Sequence, residues 1–173
     1  EDFDIITSKR LFGKYKDSFD VKYRTTFRGA QAVHDIKKLE QSFAENRVLF
    51  DIYSSSKNDS RQHIQLKIYS VGFDLPLSAT LPIIENLGLY AIDEITYVLN
   101  VTDEQGNNRS AFIHHYRLTC KIGGLDITDE IRKNVVLTLE KVWEKQLDDD
   151  RFNSLLIFTK ANWRQAAMLR AYA

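Results

Sequence analysis

The apolar residues of this chain change their spacing several times along its length, and that alternation confines it to folds that mix helices with paired strands. Over residues 30–43, Ala32, Val33, Ile36, Leu39 and Phe43 recur at three- and four-residue steps, which is one face of an amphipathic helix. The period then drops to two. Val48, Phe50 and Ile52 alternate with Leu49, Asp51 and Tyr53. Beyond a polar stretch at residues 54–60, Ile64, Leu66 and Ile68 alternate with His63, Gln65, Lys67 and Tyr69. The two runs read as a hairpin, and the second promises one apolar face and one wet face.

A short helix follows, with Ser78 or Thr80 as its N-cap, Pro82 near its first turn and Gly88 placed to end it. A third strand is expected over residues 90–101, with Ile95, Tyr97, Leu99 and Val101 on one face. Residues 104–108 (EQGNN) form a turn signal, and a fourth strand over 109–122 puts Phe112, His114, Tyr116, Leu118 and Cys120 on one side. Gly123 and Gly124 break it. Asp126 then caps a long helix with Asp129 and Glu130 in its first turn, where the helix dipole favours negative charge. Its buried stripe is Ile127, Ile131, Val135, Leu139 and Val142, with Trp143. The aspartates at 148–150 interrupt the chain before two further helical segments, at 152–158 and 163–172. Residues 1–27 show little periodicity and scattered aromatics, among them Phe12, Tyr15, Phe19 and Phe27, and read as a linker laid over a surface.

The order αββαββ predicts an α+β two-layer sandwich: one four-stranded antiparallel sheet with helices on one face, followed by a helical tail. It is a circular permutation of the ferredoxin-like βαββαβ plan. The expected division is an irregular segment at 1–27, an α+β domain at 28–147 and a helical connector at 148–173. Glu1 at the start, and Ala173 within a helical pattern at the end, suggest a piece of a longer protein. Zero formal net charge gives no push toward nucleic acid or an anionic membrane. A single cysteine, Cys120, excludes an intramolecular disulfide and fits a reducing compartment. No apolar run approaches the ~18 residues of a membrane helix.

Little here points to chemistry. The glycines form neither GxGxxG nor a P-loop, and Gly123-Gly124 reads as a strand-to-helix turn rather than an anion site. His114 and His115 are adjacent, so on a strand they face apart and cannot share a metal; His114 reads as a hydrogen-bonded core or interface residue. Cys120 reads as a small buried residue. Asp93-Glu94 face apart, and 148–150 reads as a solvated helix break. The sequence therefore offers no residue for a catalytic, cofactor-binding or metal-binding role.

Two stretches carry a specific likeness. Residues 75–94, LPLSATLPIIENLGLYAIDE, resemble a segment of the large NAD-specific glutamate dehydrogenases. Phe152-Asn153, Trp163-Arg164 and Leu169-Arg170-Ala171-Tyr172 resemble the stretch leading into that family's catalytic region. Gln165 departs from the acidic residue common there, and a glycine is missing around residues 160–162. The resemblance implies a cytoplasmic homo-oligomer that oxidatively deaminates glutamate to 2-oxoglutarate with NAD. This chain would be a non-catalytic ACT-like module from its pre-catalytic region, with the start of a helical connector. The expected role is regulation or assembly, with other domains and subunits of the enzyme as partners. Trp163, Met168 and Leu169, with Ala166 and Ala167, would need such a partner to cover them. The alternative is an amino-acid sensor, for which the loop around Asn86, Gly88 and Asp93 is the candidate site.

Overall fold

Period-two runs pair and period-3.6 runs coil, and the computed structural model follows that division over the residues it describes: 5–54, 63–102, 106–120, 127–159 and 161–173. The elements run α1 (Ile5–Tyr15), α2 (Val21–Thr26), α3 (Gly29–Glu45), β1 (Leu49–Ser54), β2 (Ile64–Val71), α4 (Leu77–Asn86), β3 (Leu89–Thr102), β4 (Asn108–Cys120) and α5 (Asp129–Trp143). A 3₁₀ helix, η1 (Arg151–Ser154), then leads into α6 (Leu155–Phe158) and α7 (Trp163–Tyr172). The strands form one antiparallel sheet in the order β1-β2-β4-β3. Consecutive hairpins lie at its two ends, and α4 carries the chain from β2 over β4 to β3. This is the strand order of a ferredoxin-like sheet cut open at a new place, as the element order implies, with a helical tail.

The chain divides into two compact units, and β2, β3 and β4 each contribute to both. The first comprises Glu1–Leu49, Tyr69–Asp74 and Thr96–His114. The stretch expected to be irregular is largely helical here. Leu11 and Tyr15 fall one helical turn apart and are both buried. Asp20 caps α2 by accepting from the Tyr23 amide at 2.7 Å. Tyr15, Phe19, Tyr23 and Phe27 repeat at four-residue steps, and their rings follow one another at 6.2, 4.3 and 4.8 Å between centroids. Tyr97 of β3 meets both Tyr23 and Phe27 edge-on.

The core of this unit also holds a charge. Asp35 of α3 is 1% exposed, and its carboxylate accepts hydrogen bonds from the hydroxyls of Tyr23 and Tyr69, the latter at 2.7 Å. A buried carboxylate persists only when such donors replace water. Tyr69 belongs to the row of β2 expected to be wet. That row is instead covered: Lys67 and Tyr69 are as buried as Leu66 and Ile68. Their polar tips disguise apolar bodies that can be packed like hydrocarbon.

The second unit comprises Phe50–Ile68, Leu75–Ile95 and His115–Ala173. The stripe of α5 buries Ile131, Val135, Leu139 and Val142, and Trp143 meets Phe50 at 6.3 Å. Thr128 caps this helix by accepting from the Ile131 amide, whereas Asp126, the expected cap, and Gly123-Gly124 lie outside the described residues. Arg132 binds the buried Asp51 through two nitrogens, at 2.9 and 2.6 Å. Helix α4 starts after Pro76, not after Ser78 or Thr80. Thr80 is buried one turn in, where its hydroxyl meets that of Tyr116 at 2.7 Å. Pro76 has no N–H of its own, so one fewer donor at this helix start needs an acceptor.

Candidate functional site

The end of α4 opens onto a concavity in the second unit. Gly88 follows the C-cap residue Leu87 with φ +79°, a left-handed conformation that glycine enters without a Cβ clash. A Cβ at this position would meet the Phe158 ring of α6 and, less closely, the Ser154 side chain of η1. Beside this approach opens a cleft of about 310 Å³, lined by Glu85, Asn86, Gly88, Tyr90, Arg151, Ser154 and Phe158. Asn86 donates to Asp149 at 2.9 Å, and the Ser154 hydroxyl donates to the Arg151 carbonyl at 2.7 Å. Of the expected loop residues, Asn86 and Gly88 both line this cleft. Asp93 is not among them: it sits further along β3 and pairs with Arg117 of β4.

The aspartates at 148–150 are a fastening rather than a merely solvated break. Asp150 caps η1 through the Phe152 amide at 2.9 Å and binds Arg170 of α7 through both carboxylate oxygens. The Arg170 guanidinium donates a further hydrogen bond to Asn153 at 3.1 Å, and Asn153 donates to the Asp148 carbonyl at 3.0 Å. The hydrogen bonds from Arg170, above all, hold the Asp150 carboxyl below the usual carboxylate range. The same contact raises Arg170. Helix α7 begins with a reciprocal cap between Asn162 and Gln165, in which the Gln165 side chain accepts from the Asn162 amide. Glutamine serves there as well as an acidic residue.

Fastened this way, α7 turns different residues inward and outward. Ala166 is fully buried, contrary to expectation, because it lies on the side packed against η1 and α6. Trp163 is half-buried, with the Lys141 ammonium 4.9 Å from its ring centre. Met168 and Leu169 are half or more exposed, and Tyr172 is 86% exposed.

In the first unit, His114 is buried on β4. Thr96 Oγ1 lies 3.0 Å from its Nδ1, and Asp74 Oδ1 lies 3.3 Å from its Nε2. His115, which faces the other way, meets Gln65 at 2.8 Å within the second unit. Cys120, in β4, is half-buried, more open than expected. Glu40 gathers Lys14 at 2.6 Å and the Tyr15 hydroxyl at 2.7 Å beside a second, open cleft of about 400 Å³. Burial first, and Glu40 second, push the Tyr15 phenol well above its ordinary value. Among the described residues, no group of His, Cys, Asp and Glu gathers that could hold a metal. None of their helices is long and apolar enough to cross a membrane.

Comparison with known proteins places relatives along nearly the whole chain. The family model "Glutamate dehydrogenase, ACT3 domain" matches residues 47–130. "Glutamate dehydrogenase, helical motif 2" matches 2–41, and "helical motif 3" of the same enzyme matches 147–173. A NAD-specific glutamate dehydrogenase of Halomonas elongata is 30% identical over 173 residues, all of this chain and 10% of that protein. Another, from Pseudomonas aeruginosa, is 32% identical over 165 residues, 94% of this chain and again 10% of its own length. The chain therefore spans about a tenth of the length of the curated relatives it matches.

Proposed function

Because the chain belongs to the NAD-specific glutamate dehydrogenase family and matches an ACT domain flanked by two helical motifs, we propose that it serves as a non-catalytic regulatory and assembly module of such an enzyme. The whole protein would oxidatively deaminate L-glutamate to 2-oxoglutarate and ammonium with NAD, as a cytoplasmic homo-oligomer. Residues 28–147 would act as the ACT-like domain, 148–173 as a connector, and 1–27 as the segment that leads into it.

The observation that carries this reading is the two-sided character of α7. One side is locked to η1 through Arg170, Asp150 and Asn153, while Met168, Leu169 and Tyr172 stay open. A helix fixed in place with apolar residues outward is preorganised to receive another surface. About nine-tenths of a relative-sized protein lies outside this chain, so another domain or subunit of the same enzyme is the natural partner. The test is the double substitution Met168→Asp with Leu169→Asp in the whole enzyme, followed by light scattering and glutamate-dependent NAD reduction. Weakened assembly, with KM for glutamate and NAD unchanged in the assembled fraction, supports the reading. An unchanged mass with altered KM values contradicts it.

A second reading, allosteric sensing of an amino acid, is favoured by the cleft that joins Asn86 and Gly88 to the tail. It requires an effector to bind there and change turnover without entering the reaction.

A further inference from the structure

Helix α7 holds no acidic residue, and its outward side is built as one row. Arg164, Met168 and Tyr172 follow one another at four-residue steps, each about 6 Å along the axis from the next. All three are exposed. At one end of the row the Arg164 guanidinium leans on the Trp163 ring at 5.3 Å, and at the other stands the open ring of Tyr172. Met168 lies midway. A parallel row of small residues, Ala167 and Ala171, runs along one flank, and Leu169 adds apolar surface on the other. A surface arranged this way is its own complement. Turned end over end about Met168, it sets a cation against each aromatic ring and an apolar side chain against its like.

We infer that α7 docks against α7 of a second copy of the chain, the two helices running antiparallel across a two-fold axis at Met168. Two-fold pairing uses the same patch on both partners, so every contact is made twice. Arg164 of each copy lies over the Tyr172 ring of the other, where the negative face of the ring attracts the guanidinium. The commonest helix packing lays a four-residue row of one helix in the groove beside the same row of its neighbour. Ala167 and Ala171 leave such a groove open. Other occupants fit less well. An acidic surface engages Arg164 and leaves Tyr172 idle, whereas a wholly apolar one buries the Arg164 charge without a partner. A second copy satisfies both ends at once. Two helices of 10 residues fall short of the ~1,200 Å² that a stable interface needs, so this pair is one contact within a larger assembly.

This inference rests on the assembly reading and names its partner. Arg164→Glu and Tyr172→Arg, singly and together, test it in the whole protein, with dissociation on dilution followed by light scattering. Each single substitution is expected to raise the dissociation constant roughly tenfold, because the contact is lost on both sides of the axis. The double substitution is expected to recover most of that loss, since it restores opposite partners across the axis. Within one helix the two positions lie eight residues apart and cannot touch, so recovery requires a second copy. Met168→Cys, treated with a short bismaleimide, is expected to join two chains through position 168 itself, read by mass spectrometry of the linked peptide. All three positions are exposed, so an unchanged melting temperature shows that each variant is folded. No recovery in the double variant, or no link from position 168 to its own copy, overturns the self-pairing. A link to some other segment, with assembly still weakened by Met168→Asp and Leu169→Asp, leaves the docking reading standing. Assembly untouched by every one of these substitutions removes both.

Discussion

A Cβ added to Gly88 would lie 2.6 Å from Cε2 and 2.8 Å from Cζ of Phe158. The ring is 39% exposed and able to swing aside, so the overlap alone does not decide the cost of a side chain here. The φ of +79° does, because an L-residue carries its penalty wherever the ring goes. Gly88→Ala should therefore destabilise the fold by about 1–2 kcal/mol, and lower the melting temperature by about 2–8 °C. Adding Phe158→Ala should recover the steric part only, leaving a double mutant whose effect is not the sum of the singles. Thermal melts of the four proteins in that cycle measure both quantities.

The shared carboxylate of Asp35 makes the first unit sensitive to single hydroxyls. Tyr69→Phe removes one donor to a group only 1% exposed, and should cost about 1–2 kcal/mol in denaturant unfolding. Asp35→Ala removes the acceptor shared by two buried phenols and should cost more, about 2–4 kcal/mol. Equal effects of the two substitutions would mean that water reaches the site.

The Asp150–Arg170 contact predicts a limb in the acid stability profile. Arg170 holds the Asp150 carboxyl below its ordinary value of 3.8 in the folded protein. Its stabilisation is therefore complete above that value and is lost as pH falls through the lower folded value. Asp150→Asn should lower stability at neutral pH and flatten the profile below about pH 4. The carboxylate is 36% exposed, so screening keeps the loss modest, about 1 kcal/mol. Urea midpoints between pH 2 and 7, with and without the substitution, give the comparison.

These particulars show where sequence reasoning reached and where it stopped. The hairpins were legible at Phe50–Ile52 and Ile64–Ile68 because a period of two cannot be mistaken for a helix face. The first two helices were not, although Tyr15, Phe19, Tyr23 and Phe27 announce a four-residue step. That step runs across the break at Asp20, so neither helix alone is long enough to display its own stripe. Lys67 and Tyr69 misled through their polar tips. Asp93 was grouped with Gly88 by proximity in sequence, but five strand residues carry it about 16 Å away. The end of α4 at Asn86 and Gly88 was legible because a glycine after a helix has a mechanical meaning. That Glu85 and Arg151 line one opening was not legible, because 66 positions separate them and only the fold sets them there.

The central claim is that α7 is a docking helix within a larger enzyme. Hydroxyl-radical footprinting of the whole protein tests it most directly, since Met168 and Tyr172 are reactive and are 57% and 86% exposed in this chain alone. The account predicts that both are protected from oxidation in the assembled protein, and regain reactivity when Leu169→Asp loosens the contact. Oxidation of Met168 and Tyr172 in the intact enzyme at the rates of fully exposed side chains would contradict it.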